Sequence, residues 1–414
     1  MKYRNLLFIF LLSVFASCSK DPELEPDTPP STFKVRIDNV IHETYFDSYP
    51  QGPSLFVPYL VMSGLPEGEK LLAFGGYYSP ENPNPDGSDY TFIHDCADDE
   101  LIQGWDWTQE LIYSAGWIDL PIPGKTYYFK GVVRTNKAVY YSNTVTINTD
   151  GLPGYTPGPQ DRVLPVVFHV MPRKDGTYPH PYFFDEMLAC ANRLYRNVWP
   201  LPGLADAGIR FVPATHAPDG TALSTPGIHY LDERYELDLD ISNEELRQWV
   251  GDNLWEMTEV INVWVSPFIN DHIVSEDTST AGFTFLPYFA PEEMLQGCNT
   301  AVPGCFSGIF LNQEIVGNGY CNSGIAVFAH EAGHYLGLDH VFEEDWCDDT
   351  PQYDRARYRT EQYIPGIDTY LRYPIDASAE PYTALNVMDY DIVIYSGITP
   401  QQAERVRYTL QHAC

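Results

Sequence analysis

Between residues 33 and 148 apolar and polar residues alternate in short runs. FKVRIDNVI, SLFVPYLVMS, KLLAFGGYYS, YTFIHD, TYYFKGVVRT and AVYYSNTVTIN are rich in β-branched and aromatic residues, and Gly, Pro, Asn and Asp separate them. Such runs suit pleated strands bounded by turns. In TYYFKGVVRT, Tyr127, Phe129 and Val133 share one face at a period of two, and Lys130 and Arg134 take the other. A run of such half-buried strands predicts an all-β sandwich over residues 33–149.

The glycine- and proline-rich stretch DGLPGYTPGPQD breaks this pattern and predicts a linker over 150–161. From 162 to 414 strand and helix patterns alternate. RVLPVVFHVM is almost continuously apolar, as a strand buried on both faces requires. In FFDEMLACANRLYRNVW, Phe184, Met187, Leu188, Ala191, Leu194, Tyr195 and Val198 recur at steps of three and four, which predicts a helix. Strands are expected at GIRFVPAT, VINVWVS, AGFTFLP and SGIFLN, and a second helix at IAVFAHEAGHYLG. The chain closes on TPQQAERVRYTLQH, where Thr399 is placed to cap, Pro400 suits the first helical position and Gln402 completes a capping box. The expected class for 162–414 is α/β (α+β) with a mixed sheet.

The first residues predict export. Lys2 and Arg4 precede the apolar run LLFIFLLSVF, which is shorter than the roughly 20 residues a membrane-spanning helix needs. Ala16, Ser17 and Cys18 resemble a bacterial lipobox, although Phe15 is a loose fit. That reading makes 1–17 a lipoprotein signal peptide and Cys18 the lipidated residue. The acidic, proline-rich 18–32 becomes a tether, and the protein meets the membrane through its lipid. A cell-envelope location at the outer membrane is the expectation, and Lys20-Asp21 just behind Cys18 resembles a signal for surface display. The chain has 414 residues and a formal net charge of -33, which argues against a basic face for nucleic acid. Export permits disulfides, and Cys298 with Cys305, or Cys347 with Cys414 or Cys321, are candidate pairs.

The chemistry concentrates in HEAGHYLGLDH, residues 330–340. On a helix, His330 and His334 lie one turn apart on one face and can hold one metal. Glu331 is turned away by about 100° and can reach a water beside that metal. Gly337 can take a left-handed conformation and end the helix, so that His340 returns as a third ligand. Three neutral imidazoles and a water suit one catalytic Zn²⁺. The chance appearance of the five fixed positions in a chain of this length is on the order of 10⁻⁵. Downstream, NVMDY places Met388 and Tyr390 in a candidate methionine turn. The eleven-residue histidine motif followed by such a turn is the metzincin arrangement.

Within the metzincins, residues 162–414 resemble the pappalysin family. The resemblance rests on VVFHV, IRFVPATHAPDG with GIHY, AHEAGHYLGLDHVF, DDTP at 348–351, NVMDY and ITPQQAERVR. It implies a metzincin fold and a zinc endopeptidase acting on proteins or peptides. His330, His334 and His340 would be the metal ligands and Glu331 the general base. Met388 would be an apolar floor, and Tyr390 a metal or oxyanion partner. Ala281, Gly282, Phe283, Thr284 and Phe285 would form the edge strand that pairs with substrate. The chain departs from the family where EEDWC replaces its glycine-cysteine pattern and where Asp339 replaces an aromatic residue. EEDWCDD offers carboxylates of the kind that hold a structural Ca²⁺, and a solvated acidic loop is the plainer reading. The end of the sandwich segment resembles the last two strands of an immunoglobulin or fibronectin-type domain. The competing reading of the whole is an adhesion or binding lipoprotein with a closed, structural zinc. Glu331 beside the site favours the enzyme.

Overall fold

The computed structural model describes residues 32–414, apart from 45–53, 120–121, 153–160, 199–200, 241, 270–279, 302–305, 315–320, 356–362, 365–368, 377, 384, 391–395 and 414. Cys18, the signal segment and most of the tether and linker lie outside the described residues.

Among the described residues, eight strands precede residue 149: β1 (Lys34–Thr44), β2 (Ser54–Ser63), β3 (Leu71–Ser79), β4 (Tyr90–Asp95), β5 (Leu111–Ser114), β6 (Ile118–Asp119), β7 (Thr126–Thr135) and β8 (Val139–Asn148). They form two antiparallel sheets of four strands. One runs β1-β2-β5 with β6 also on β2, and the other β4-β3-β7-β8. The two inner faces meet closely: a Cβ added at Gly131 of β7 would lie 2.4 Å from Leu60 Cδ1 of β2. Glycine at that position lets the leucine of one sheet sink into the other. Tyr127, Phe129 and Val133 are fully buried at the predicted period.

The second half is built on a mixed sheet. Its strands are β9 (Arg162–Val170), β10 (Ile209–Pro213), β11 (Ile228–Tyr230), β12 (Ile261–Ser266), β13 (Gly282–Thr284) and β14 (Ile309–Asn312), in the order β10-β9-β12-β14-β13, with β11 continuing along β9. Every pairing is parallel except β13 on β14, which is antiparallel and forms an edge. β12 and β14 are buried along their whole length, which explains their uninterrupted apolar sequences.

Helices α1 (Pro181–Tyr195), α2 (Asn243–Val250), α3 (Cys321–Tyr335) and α4 (Pro400–His412) complete this half. Phe168 of β9 packs on Phe184 of α1 and Phe328 of α3, at 4.7 and 5.6 Å between ring centroids, so these two helices share one face of the sheet. The other face carries Trp264 and Phe310, stacked at 5.2 Å, over Leu246 and Val250 of α2. His169 lies on that face too, fully buried as a core histidine, bonded to His229 and to Asn262. α4 begins with the expected capping box, Thr399 with Gln402.

α1 also faces the N-terminal sheets. Its Glu186 accepts hydrogen bonds from Tyr90 Oη at 2.7 Å and Tyr127 Oη at 3.0 Å, and its Tyr182 donates to Asp89 at 3.0 Å. One continuous apolar core runs from the sheets through α1 to α3. Cys96, Cys190, Cys298 and Cys347 are free thiols, so the pairings considered for Cys298 and Cys347 are not formed. Among the described residues, no helix is long and apolar enough to cross a membrane.

Candidate active site

α3 carries His330, Glu331 and His334, and the sequence at its end explains why the third histidine returns. Gly337 sits at φ +85°, and Leu338 N bonds back to Gly333 O at 2.9 Å, closing the helix in a left-handed turn. Arg405 of α4 donates to Gly337 O at 2.9 Å and to Gln296 O at 2.8 Å, which pins that turn from outside. His340 Nε2 then stands 3.3 Å from His330 Nε2 and 3.1 Å from His334 Nε2.

The outer nitrogens fix the tautomers of the two helical histidines. His330 Nδ1 donates to Val387 O at 2.7 Å and His334 Nδ1 to Leu338 O at 2.9 Å. Carbonyls only accept, so both Nε2 atoms bear lone pairs. Burial, together with the neighbouring rings, pushes His330 down to about 3 and His340 down to about 2, and burial lowers His334 as well. Three neutral imidazoles therefore bring their Nε2 atoms together at close range, and on the two helical histidines those atoms bear the lone pairs. Four ligands at roughly 2.0–2.1 Å from a tetrahedral zinc are spaced by about 3.3 Å, so the donor set fits that metal.

Glu331 is 5% exposed, and among the described residues its Oε2 has no hydrogen-bond partner. Burial raises its carboxyl to about 8. Thr284 of β13 lies near enough to ease the charge, yet its Oγ1 also makes no hydrogen bond among the described residues. β13 comes this close because residue 282 is glycine: a Cβ there would stand 3.1 Å from Glu331 Oε1 and 2.9 Å from Phe310 O. Of the expected edge segment, Gly282, Phe283 and Thr284 form the strand, and Ala281 and Phe285 flank it. Gly282 and Thr284 turn toward Glu331, while Phe283 stacks on Phe310 at 4.7 Å.

The segment 386–390 lies beneath the histidines. Met388 is fully buried, and a Cβ on Gly333 would fall 2.2 Å from its Sδ. Asp389, fully buried, accepts from Tyr353 Oη at 2.8 Å and from Arg372 Nε at 3.0 Å. Tyr390 is 44% exposed and sets its ring 4.6 Å from that of His340, edge to face. Burial raises its hydroxyl, and Arg355 opposes the rise. Pattern reading missed Arg355 and Arg372, which carry no spacing signal of their own, and it gave Thr284 a place in the edge strand but not beside Glu331.

The acidic loop after His340 is partly spent on its own structure. Asp345 accepts from Thr350 Oγ1 at 2.6 Å and from Cys347 N at 3.1 Å. Asp349 accepts from Thr399 Oγ1 at 2.7 Å and Gln401 N at 3.0 Å, at the start of α4.

Residues 244–411 match the model of a peptidase family, M43, described as pregnancy-associated plasma protein-A. The match covers less than half of the chain, and it supports reading this region as a metallopeptidase domain of the pappalysin type. A comparison with curated proteins gives no match. Among solved structures, the chain is similar to Tannerella forsythia mature mirolysin in complex with a cleaved peptide, at 18% identity over 60% of this chain and 92% of that one, with a TM-score of 0.40. It is also similar to a Tannerella forsythia promirolysin mutant, at 18% identity over 62% of this chain and 83% of that one, with a TM-score of 0.41. The pappalysin match takes in α2, β12, β13, β14, α3, the methionine turn and α4, which are the elements that assemble the histidine site.

Proposed function

We propose that this peptidase is zinc-dependent, with His330, His334 and His340 as the metal ligands and Glu331 as the general base. The observation that supports it most is the convergence of three neutral imidazole nitrogens, 3.1–3.3 Å apart about His340, next to a buried carboxylate oxygen without a partner. Zinc bound there supplies Lewis acidity, polarising the scissile carbonyl and lowering the pKa of a water from 15.7 to about 7.

The chain's own groups do the rest. Glu331 Oε2 takes the water's proton as the water oxygen attacks the carbonyl carbon, then delivers it to the departing amine nitrogen. The Tyr390 hydroxyl, on the exposed side of His340, donates to the oxyanion. The substrate backbone extends the sheet along the edge of β13 that lies opposite its pairing with β14. Met388 gives the site an apolar, incompressible floor.

A mixed library of quenched peptides, with and without a zinc chelator, tests the reading. Wild-type cleavage should stop with chelator. Glu331→Gln should keep its zinc and lose at least about 100-fold in rate, in line with removal of a general base. His334→Ala should lose zinc and activity together. Near wild-type cleavage by zinc-loaded Glu331→Gln would overturn the general-base assignment.

We further propose that the protein is exported and held to the cell envelope by lipid on Cys18, with 33–149 an immunoglobulin- or fibronectin-like sandwich. Lys2, Arg4, the apolar run and Ala16-Ser17-Cys18 support the first part, and the two facing antiparallel sheets support the second. Cys18→Ser should release the protein from the membrane fraction. If it stays, the anchor lies elsewhere.

A further inference from the structure

Beyond the metal ligands and Glu331, the site holds one more charged group that the chemistry above leaves without work. Arg355 is exposed, and its guanidinium carbon lies 4.0 Å from the centroid of the Tyr390 ring and 4.8 Å from that of Phe342. Those rings pack together at 4.8 Å, and Phe342 stacks on His340 at 4.9 Å. The cation is thus one aromatic layer away from the metal-site histidine.

Among the described residues Arg355 makes no ion pair with a carboxylate, although 57 Asp and Glu face only 24 Lys and Arg in this chain. Glu343, whose charge also reaches Tyr390, lies 4.0 Å from His340 Nδ1 and is itself exposed. The rings occupy the face of the guanidinium. A guanidinium carries five donors at its edge, so the stack and the contact with the Tyr390 hydroxyl steer the planar fork and leave further donors over. A fork held this way, beside Tyr390 and open to solvent, matches the geometry of a carboxylate.

Resting on the peptidase reading above, we propose that Arg355 is a specificity-determining residue that receives a carboxylate of the substrate beside the scissile bond. That carboxylate is either an Asp or Glu side chain or a free C-terminus. The protein's net charge of -33 repels acidic peptides at long range, but salt screens that field beyond about 10 Å at 0.1 M. The contact with Arg355 acts inside that distance and survives.

The test uses the zinc-loaded full chain and matched quenched peptides. Each peptide carries Glu, Gln or Lys at one position flanking the cleaved bond, with the C-terminus amidated. A further set is neutral throughout and ends in a free carboxylate close to the bond. Cleavage is measured for wild type, Arg355→Lys and Arg355→Glu, and binding of the same peptides is measured on the Glu331→Gln protein with and without Arg355→Glu. Ratios between peptides within one variant cancel any general effect of Arg355 on Tyr390.

At one position, wild type should favour Glu over Gln by about fivefold to tenfold, the scale of a partly exposed charge-assisted pair. The difference should lie in KM and in peptide affinity rather than in kcat. Arg355→Lys should keep part of the preference, and Arg355→Glu should reverse it in favour of Lys. A preference seen only with free termini identifies the carboxylate as the terminal one, and one seen only with amidated peptides identifies a side chain. Glu-to-Gln and free-to-amidated ratios that stay within twofold across all variants overturn the proposal. Wild type that cuts no peptide overturns the peptidase reading instead, and the binding arm still judges Arg355.

Discussion

Gly333 occupies the second helical turn of the histidine motif, where an alanine would normally be favoured by about 1 kcal/mol. Here the methyl group has no room: it would lie 2.2 Å from Met388 Sδ and 2.9 Å from Tyr195 Oη. Neither neighbour is loose. Met388 is fully buried, and the Tyr195 hydroxyl donates to Ala329 O at 2.9 Å on the same helix. Overpacking a filled core costs about 1–3 kcal/mol, so Gly333→Ala should destabilise despite its better helix propensity. The expected result is a lower Tm and weaker zinc retention in chelator competition. The double variant Gly333→Ala with Met388→Ala should recover part of the zinc retention, because the floor no longer meets the added methyl. A Gly333→Ala protein as stable as wild type would show that the helix and the methionine turn are farther apart than 2.2 Å implies.

The element that sets Tyr390 is the methionine turn, and it is braced from beneath by residues the sequence pattern does not flag. Arg372, in the strand Thr369–Arg372, and Asp389 are both fully buried and meet at 3.0 Å. Removing one member of a buried ion pair costs about 3–5 kcal/mol, because the other charge is left in low dielectric. Arg372→Met should therefore be severely destabilising by urea unfolding, and the double variant Arg372→Met with Asp389→Asn should be less so. Additive losses would mean the pair is not coupled. The local patterns were legible: the helix Pro181–Tyr195, the capping box at Thr399 and the buried strands follow from periodicity and cap chemistry. Helix Asn243–Val250 was not, although Ser242 and Glu245 spell a capping box, because eight residues with two buried apolar positions give too short a stripe. The antiparallel edge β13, the Arg372–Asp389 brace and the Arg355 stack join residues distant in the chain. Their partners are chosen by the folded sheet and leave no period to read.

At the scale of the molecule, the N-terminal sheets are joined to the peptidase through a polar knot inside an apolar contact. Glu186 of α1 is buried, and it accepts hydrogen bonds from Tyr90 and Tyr127 of the sheets. α1 packs in turn on α3, with Tyr195 bonded to Ala329 next to the first histidine. Burial raises the Glu186 carboxyl above its ordinary value of 4.5, and the two tyrosines oppose that rise. The native state thus binds this proton more tightly than the unfolded chain does, so this group's contribution to stability falls as pH rises past the ordinary carboxylate range. Glu186→Gln should flatten that part of the stability–pH curve. Tyr90→Phe combined with Tyr127→Phe should do the opposite: a buried carboxylate that has lost these two donors is destabilised at pH 7, and the deficit should shrink toward pH 5 as the proton returns. Thermal unfolding across that range measures both. A protease site inserted within 153–160 extends the argument, since fragments held by this knot should co-elute after cleavage in the parent and separate in the double tyrosine variant. Fragments that part in the parent, or a double variant with no pH-dependent deficit, would mean the sheets are only tethered to the enzyme and not built into it.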